Sequence, residues 1–270
     1  MLPVDNSAGA SRRKLRLRPP FVDFQRGRRY YPNLPPFHKK MTHPSPESSV
    51  LDLGKSKRTI IIGDVHGCPS ELMRLLEVAE VTESDQIISL GDLICKGPDS
   101  HSVMQWAMAT RNLRCVLGNH EARFLDRWLA GKTPDPYSVD EETFRQLGDS
   151  YEQSMKFINS WPLYMDGDDF LVVHGGLDPR IATLEGQSRR DLVTMRYPHG
   201  MTIPWYEAYT AQRLVVFGHW AKQKPVVRSN AIGLDTGCVY GGSLTALILP
   251  ERRLLSVPAC REYLKKTSWE

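Results

Sequence analysis

The sequence is poor in cysteine and has no long apolar stretch. Its 270 residues include five cysteines, and no two of them form a Cys-x-x-Cys pair. Such a small, odd and scattered set argues against a disulfide framework and a structural zinc knuckle, and predicts a reducing compartment. No apolar run approaches the roughly 18 residues that span a bilayer, and the amino terminus lacks the apolar core of a secretory signal. These absences predict a cytoplasmic protein without a membrane span.

Acidic side chains are scarce at the amino-terminal end. Residues 1–40 carry ten Lys and Arg against two Asp, and the whole chain has a net charge of +4, so the other 230 residues sum to −4. That mildly acidic remainder does not indicate a nucleic-acid-binding domain. Prolines recur through residues 1–57 and interrupt any apolar period. We therefore predict a basic, Pro-rich, disordered leader over 1–57, a globular domain over 58–260 and a tail over 261–270.

Two other interpretations of the leader stay open. It could be an Arg-rich organelle-targeting peptide, or an electrostatic arm that contacts RNA or protein. Its prolines disfavour the amphipathic helix that targeting peptides form, and Met41 offers an alternative start.

Apolar strand patterns alternate with helical patterns in the first half of the domain. Three strand patterns each precede a helix pattern: 59–62, 86–90 and 113–117. This alternation predicts right-handed β-α-β units and a largely parallel sheet. A helical face then runs over 144–158. The second half is richer in strand patterns: 170–173, 214–217, 232–234, 244–249 and 254–257.

Polar side chains suited to metal binding follow five of these strand patterns. They are Asp64 and His66, Asp92, Asn119 and His120, His174, and His219. Because the carboxyl ends of strands in an open α/β sheet converge on one crevice, we expect these side chains to meet. Taken singly, each is typical of a turn or a structural histidine. Most of these side chains, however, stand next to a glycine, which lets the backbone approach a common bound group without a Cβ in the way. This repeated pattern favours a common site.

The donor atoms of this set indicate the kind of metal. Oxygen and nitrogen donors without sulfur suit Mn²⁺, Fe²⁺ or Zn²⁺ better than Ca²⁺ or an iron–sulfur cluster. Even six of these seven groups are too many for one open site but fit two, with one carboxylate bridging ions that lie about 3.5–4 Å apart. The sequence therefore predicts two divalent transition metal ions, with Mn favoured and Fe, Zn, Co or Ni as alternatives.

Five ordered motifs carry a resemblance to a known family. They are Gly63-Asp64-Val65-His66-Gly67, Gly91-Asp92, Gly118-Asn119-His120-Glu121, His174-Gly175-Gly176 and Gly218-His219. Over about residues 59–258 the chain resembles the calcineurin-like metallophosphoesterases of the phosphoprotein-phosphatase branch. Its segments 217–221 and 234–245 look most like those of symmetrical dinucleoside tetraphosphate hydrolases and ApaH-like phosphatases.

This resemblance implies a fold, a chemistry and a set of roles. The implied fold is α/β: two mainly mixed β-sheets packed as a sandwich with flanking helices, and a dimetal site at the carboxyl ends of strands. The implied reaction is hydrolysis of a phosphoanhydride or phosphoester by a metal-bound hydroxide. The implied ligands are Asp64 and His66 on one ion, Asn119, His174 and His219 on the other, and Asp92 as the bridge. His120 would be the general acid, and Lys96 and Arg196 would bind phosphate.

One departure from the family pattern bears on substrate class. Protein phosphatases of this branch have Asp-Arg-Gly where this chain has Cys95-Lys96-Gly97. A thiol carries little charge at pH 7, so His120 lacks the Asp partner of the family, and Lys96 lacks the planar fork of an arginine. The departure favours the ApaH-like group.

The expected substrates are dinucleoside polyphosphates or related nucleotides, and several alternatives stay open. These are a Ser/Thr or Tyr protein phosphatase, a polyphosphatase, an RNA-cap hydrolase and a catalytically silent phosphate-binding scaffold. The tripeptide Asp235-Thr236-Gly237 is typical of aspartic proteases, but those need two such Asp and this sequence has one copy.

A long connection over 178–211 predicts a lid or substrate-binding region. It carries cationic and aromatic side chains together: Arg189, Arg190, Arg196, Trp205, Tyr206 and Tyr209. The aromatic rings either pack in the core or stack on a nucleobase, which would contribute roughly 1–3 kcal/mol per base.

Overall fold

The computed structural model describes residues 58–133 and 138–266, together with the backbone of three short strands that precede them. Those strands are β1 (Phe21–Asp23), β2 (Arg28–Tyr30) and β3 (Ser49–Val50). The rest of the predicted leader and residues 267–270 lie outside the described residues. None of the described helices combines the length and apolar character that crossing a bilayer requires.

The remaining elements follow the alternation seen in the sequence. They are β4 (Thr59–Ile62), α1 (Pro69–Val78), β5 (Gln86–Ser89), α2 (Ser100–Ala109), β6 (Leu113–Cys115), α3 (Asn119–Leu129), α4 (Val139–Leu147), α5 (Tyr151–Ile158), β7 (Tyr164–Asp166), β8 (Phe170–Val173), α6 (Arg189–Thr194), α7 (Trp205–Ala208), β9 (Leu214–Phe217), β10 (Val226–Val227), β11 (Ala231–Gly233), β12 (Ser243–Leu249) and β13 (Arg253–Pro258).

These strands form two mixed sheets in the described part of the chain. One has the order β13-β12-β4-β5-β6, and the other has the order β10-β11-β9-β8-β7-β3. The predicted parallel strands lie together in each sheet: β4, β5 and β6 in the first, and β8, β9 and β11 in the second. The strands β10, β12 and β13 pair antiparallel with their neighbours, and β7 pairs antiparallel with β8 but parallel with β3. The implied fold of two mainly mixed sheets is confirmed, and the expectation of one largely parallel sheet holds within the first sheet for β4, β5 and β6 alone.

Strand β4 shows why the first sheet has apolar layers on both faces. Ile60 and Ile62 lie in the core beneath helices α1, α2 and α3, whereas Ile61 lies in the core between the two sheets. Successive side chains of a strand point to opposite faces, so a continuous apolar run is typical of a strand buried on both sides. Two residues of the predicted tail also contact this domain: Tyr263 packs against the helical core, and Lys266 Nζ donates to Ala221 O at 2.7 Å.

The apolar face predicted over 144–158 is divided between two helices. Gly148, with φ +47°, ends α4, and a 3₁₀ turn over Gly148–Ser150 leads into α5. Glycine adopts this left-handed conformation without the cost that a side chain would add. The rings of Phe144 and Tyr151 still pack together, with centroids 4.7 Å apart.

The connection over 178–211 packs against the outer face of the second sheet. Trp205 is fully buried, and its ring centroid lies 4.9 Å from that of Phe217. Tyr206 stacks on Phe217 at 5.4 Å. A Cβ on Gly176 would lie 2.2 Å from Trp205 Nε1, so glycine is required there. The interpretation of Trp205 as a nucleobase platform is therefore wrong, because the ring belongs to the core.

Candidate active site

Five strand ends bring the predicted polar side chains to one place. Three of them belong to β4, β5 and β6, and two belong to β8 and β9 of the other sheet. The side chains that meet there are Asp64, His66, Asp92, His120 and His174, which are buried, and Asn119 and His219, which are half-buried. The site therefore lies where the carboxyl ends of the two parallel strand sets approach each other.

Asp92 is the central residue of the site. Its Oδ2 lies 3.6 Å from His66 Nε2 and 3.9 Å from His120 Nε2, and its Oδ1 lies 3.5 Å from His174 Nε2. Two groups of side chains have donor atoms within 4.8 Å of one another: His66, Asp92 and His120, and Asp64, Asp92 and His174. Asp92 belongs to both groups, as a carboxylate that bridges two metal ions must.

Asn119 connects the two histidines of the second sheet. Its Oδ1 lies 3.0 Å from His174 Nε2 and 2.8 Å from His219 Nδ1. The backbone N–H of His219 donates to Asp64 Oδ2 at 3.0 Å, which ties this group to the first sheet.

Backbone carbonyls orient two of the imidazole rings. His66 Nδ1 lies 3.2 Å from Ile94 O, and His174 Nδ1 lies 2.6 Å from Leu90 O. A ring that donates from Nδ1 to a carbonyl leaves the lone pair of Nε2 free, and Nε2 is the atom that faces Asp92 in both residues.

A buried carboxylate supports the loop that carries Asp92. Glu121 Oε2 accepts from the backbone N–H of Asp92 at 2.8 Å, and Oε1 accepts from Ile94 N at 3.0 Å. Asp92 and His66 adopt φ +49°, a region that costs a residue with a side chain of order 1–3 kcal/mol unless contacts hold it. Glu121 lies in a motif that the sequence shows, but its supporting role depends on a tertiary contact.

The charges of the site suit bound cations. Burial, with help from the neighbouring Asp235, raises the pKa of Asp64 well above its ordinary value. Burial lowers the pKa of both His66 and His219 to about 3, so these rings are neutral. Burial opposes ionisation of Asp92, but His174 and His120 hold its pKa well below the usual range. Buried carboxyl groups beside the neutral imidazoles of His66 and His219 are a donor set that fits divalent transition metals.

The two predicted phosphate-binding cations border this donor set on different sides. Lys96 Nζ lies 3.1 Å from His66 Nε2. Burial opposes its charge, but Asp92 and Tyr240 raise its pKa, so the ammonium group stays charged. The exposed Arg196 lies on the His219 side, with its guanidinium carbon 5.6 Å from the Trp220 ring centroid.

His120 has partners that the sequence analysis did not identify. Arg123 Nη2 lies 2.9 Å from His120 Nδ1, and Arg123 Nε donates to Asp140 Oδ2 at 2.6 Å. Cys95 lies in the same group, and burial raises its pKa well above the ordinary value, so it remains an uncharged thiol. The spacing of His120 and Arg123 on one helix was the available signal, whereas no local pattern links Asp140 on α4 to them.

A cationic cleft of about 690 Å³ lies beside Asn119, between α3 and α6. Its lining includes five cationic side chains: Arg123, Arg127, Lys132, Arg189 and Arg190. The acidic residue of the lining, Asp126, accepts from Arg189 at 2.9 Å. The cleft therefore carries an excess of positive charge next to the candidate metal ligands.

Known protein families and relatives match most of the chain. The family model for calcineurin-like phosphoesterases matches residues 57–246. An asymmetrical bis(5'-nucleosyl)-tetraphosphatase PrpE of Bacillus velezensis is 31% identical over 235 residues, which cover 75% of this chain and 93% of the relative. A symmetrical bis(5'-nucleosyl)-tetraphosphatase of a Janthinobacterium species is 26% identical over 272 residues, which cover 77% and 98%.

Solved structures show the same likeness. A crystal structure described as that of a candidate diadenosine tetraphosphatase superposes with a TM-score of 0.68 and 29% identity, covering 79% of this chain and 98% of that one. A protein serine/threonine phosphatase from Saccharomyces cerevisiae superposes with a TM-score of 0.56 and 15% identity, covering 80% and 84%, which is a likeness of fold alone.

Proposed function

The chain belongs to the calcineurin-like phosphoesterases and is a phosphohydrolase, and we propose that it hydrolyses dinucleoside polyphosphates or related nucleotides. The cationic cleft beside Asn119 carries this proposal. A substrate whose phosphate chain continues past the reacting phosphorus needs positive charge next to the metal ligands, whereas a phosphorylated side chain brings a single phosphate. Relatives that are tetraphosphatases support the same substrate class.

The proposed metal ligands are those that meet around Asp92. Two divalent ions, of which Mn²⁺ is the favoured identity, would supply a water of lowered pKa and would neutralise phosphate oxygens. Following the family pattern, the ligands would be Asp64 and His66 for one ion, Asn119, His174 and His219 for the other, and Asp92 for both. In the structure the donor atoms of Asp64 lie within 4.8 Å of those of Asp92 and His174, so metal binding would draw Asp64 and His66 to a shared ion.

Three further side chains would act on the substrate itself. His120 would protonate the leaving oxygen, a contribution on the order of 10²–10⁴-fold. Lys96 and Arg196 are placed on two sides of the ligand set, where they would bind oxygens that gain charge in the transition state.

In place of the buried Trp205, the exposed ring of Tyr197 is the proposed stacking surface for a nucleobase. Tyr197 follows Arg196 and is 49% exposed, and its ring centroid lies 5.0 Å from that of Trp220. Trp220 follows His219 in the chain, so this ring lies near the site. Stacking on Tyr197 would favour a substrate that carries a base.

A substitution in the cleft tests the proposal. Arg190 is exposed, and no carboxylate of the described residues forms an ion pair with it. Arg190→Ser should raise KM for diadenosine tetraphosphate about 10-fold, because a charge-assisted contact to a distal phosphate is lost. Hydrolysis of p-nitrophenyl phosphate, which has one phosphate, should not change. Arg111→Ser is the matched control, since Arg111 precedes β6 at the end of the strand away from the site.

The products and the substrate range complete this test. Two ADP molecules would indicate symmetrical cleavage, and ATP with AMP would indicate asymmetrical cleavage. Rapid hydrolysis of a phosphopeptide, inorganic polyphosphate or capped RNA, with none of the dinucleotide, would contradict the proposal and assign the corresponding alternative. Equal losses on both substrates in Arg190→Ser would show that the cleft does not bind distal phosphates.

A further inference from the structure

A second group of metal-binding side chains lies outside the phosphoesterase site. Cys68, Glu71 and Cys238 are buried, and their ligand atoms lie within 4.8 Å of one another. The Sγ of Cys68 also donates to His66 O at 3.6 Å. These cysteines are far apart in sequence, which is why their spacing gave no sign of a metal site.

Glu71 has an oxygen that lacks a partner. Its Oε1 accepts from Cys260 N at 2.7 Å and from Tyr263 Oη at 2.8 Å. Its Oε2 is buried and has no hydrogen-bond partner among the residues that the structure describes. A buried carboxylate oxygen without a partner is costly, and a cation beside it would remove that cost.

We propose that Cys68, Glu71 and Cys238 bind a zinc ion. Two thiolates and a carboxylate are a zinc donor set, whereas Mn²⁺ prefers oxygen ligands without sulfur. On binding, the two thiol protons pass to solvent and two Zn–S bonds form. With these three anionic ligands the complex carries a charge of −1, or −2 once a fourth thiolate binds, and this negative charge suits the amino-terminal end of helix α1 where Cys68 and Glu71 lie.

Cys260 is the available fourth ligand. It is exposed, its backbone N–H already bonds to Glu71, and its Sγ lies 3.9 Å from Arg74 Nη1. Structural zinc sites are four-coordinate and tetrahedral, so a thiolate from Cys260 would close the coordination.

The proposed zinc ion would hold two loops of the phosphoesterase site in place. Cys68 follows the loop of Asp64 and His66, and Cys238 lies three residues after Asp235. The ion would tie the start of α1 to the segment after β11 without contacting the substrate. The proposal does not depend on the substrate class.

Cobalt spectroscopy separates this site from the phosphoesterase centre, whose ligands contain no sulfur. Metal-free full-length protein, kept reduced, is titrated with Co²⁺. We expect thiolate-to-cobalt charge-transfer absorption in the near ultraviolet. The absorption should be lost in Cys238→Ser and retained in Asp92→Asn, which removes the bridging carboxylate of the other centre. Cys115→Ser should retain it, since Cys115 is a buried cysteine outside the group.

Glu71→Gln is a second variant, chosen because it should fold as the wild-type protein does. It keeps a side-chain oxygen for Cys260 and Tyr263, and it should weaken cobalt binding at least about 10-fold. Absence of the absorption from the wild-type protein, or its retention in Cys238→Ser, would overturn the proposal. Zinc analysis should show one ion more in wild type than in Cys238→Ser, and equal zinc content would overturn it as well.

Discussion

At the scale of single residues, the contact between Arg123 and His120 sets the chemistry of the candidate general acid. A guanidinium only donates, so His120 Nδ1 accepts, and the neutral ring carries its proton on Nε2. Nε2 is the atom that lies 3.9 Å from Asp92 Oδ2. The charge of Arg123, which Asp140 holds in place, disfavours a second proton and makes the protonated ring a stronger acid.

Removing this cation should change the pH dependence of hydrolysis. Burial is the main cause that lowers the pKa of His120; Asp92 opposes it, and the positive charges of Lys96 and Arg123 add to it. Arg123→Met should therefore raise this pKa. Since a general acid loses its proton above its pKa, hydrolysis of p-nitrophenyl phosphate should persist to higher pH.

Arg123→Lys serves as the control because it keeps the charge, and its shift should be smaller. Metal content, measured by elemental analysis, should match wild type in both variants. A pH–rate profile that is identical in wild type and Arg123→Met would show that the contact does not tune His120.

At the scale of elements, the loops after the strands come so close that side chains are excluded from some positions. A Cβ on Gly218, in the loop after β9, would lie 2.2 Å from Asp64 Oδ1. Gly218→Ala should displace Asp64 and lower both metal content and kcat at least about 10-fold. Elemental analysis and steady-state kinetics would measure the two effects.

Gly131→Ala is the matched comparison for this loop. A Cβ there meets nothing within 4 Å, but the residue has φ +66°, so alanine should cost about 1 kcal/mol of stability. Its melting temperature should fall while its metal content stays unchanged. Full metal content in Gly218→Ala would contradict the displacement of Asp64.

The elements differ in how far the sequence predicts them. Strand β4 and helix α1 are predictable, because an apolar run ends in glycine and a proline opens an apolar helical face. Helices α6 and α7 were not predicted, since six and four residues carry no full amphipathic period. The residues of the candidate site also differ in how far the sequence predicts them. Ligands that follow strands are visible locally, whereas Asp140 and the cleft depend on how α3, α4 and α6 approach one another.

At the scale of the whole molecule, metal binding and protonation are coupled. In the metal-free site, burial opposes the charged form of His174, but Asp92 and Asp64 raise its pKa from 6.5 to about 10. The stabilisation from this protonated pair is fully present below pH 6.5 and is lost as pH rises through about 10. Metal binding requires the neutral ring, so at neutral pH it should release a proton from His174.

Calorimetry can measure this release. Titration of Mn²⁺ into the metal-free protein, in two buffers of different ionisation enthalpy at pH 7, should show at least one proton released per protein. Metal affinity should rise as pH increases. A heat of binding that is the same in both buffers would contradict the coupling.

The contacts of His174 and His219 also bear on how the fold resists force. His174 belongs to the second sheet, yet its Nδ1 reaches Leu90 O at the end of β5 in the first. The backbone N–H of His219, in the loop after β9 of the second sheet, likewise donates to Asp64, in the loop after β4 of the first sheet. A shear that slid one sheet across the other would have to break these contacts together with the apolar packing between the sheets. The candidate site therefore joins the two sheets, and the side chains proposed to bind metal are also those whose contacts would oppose shear.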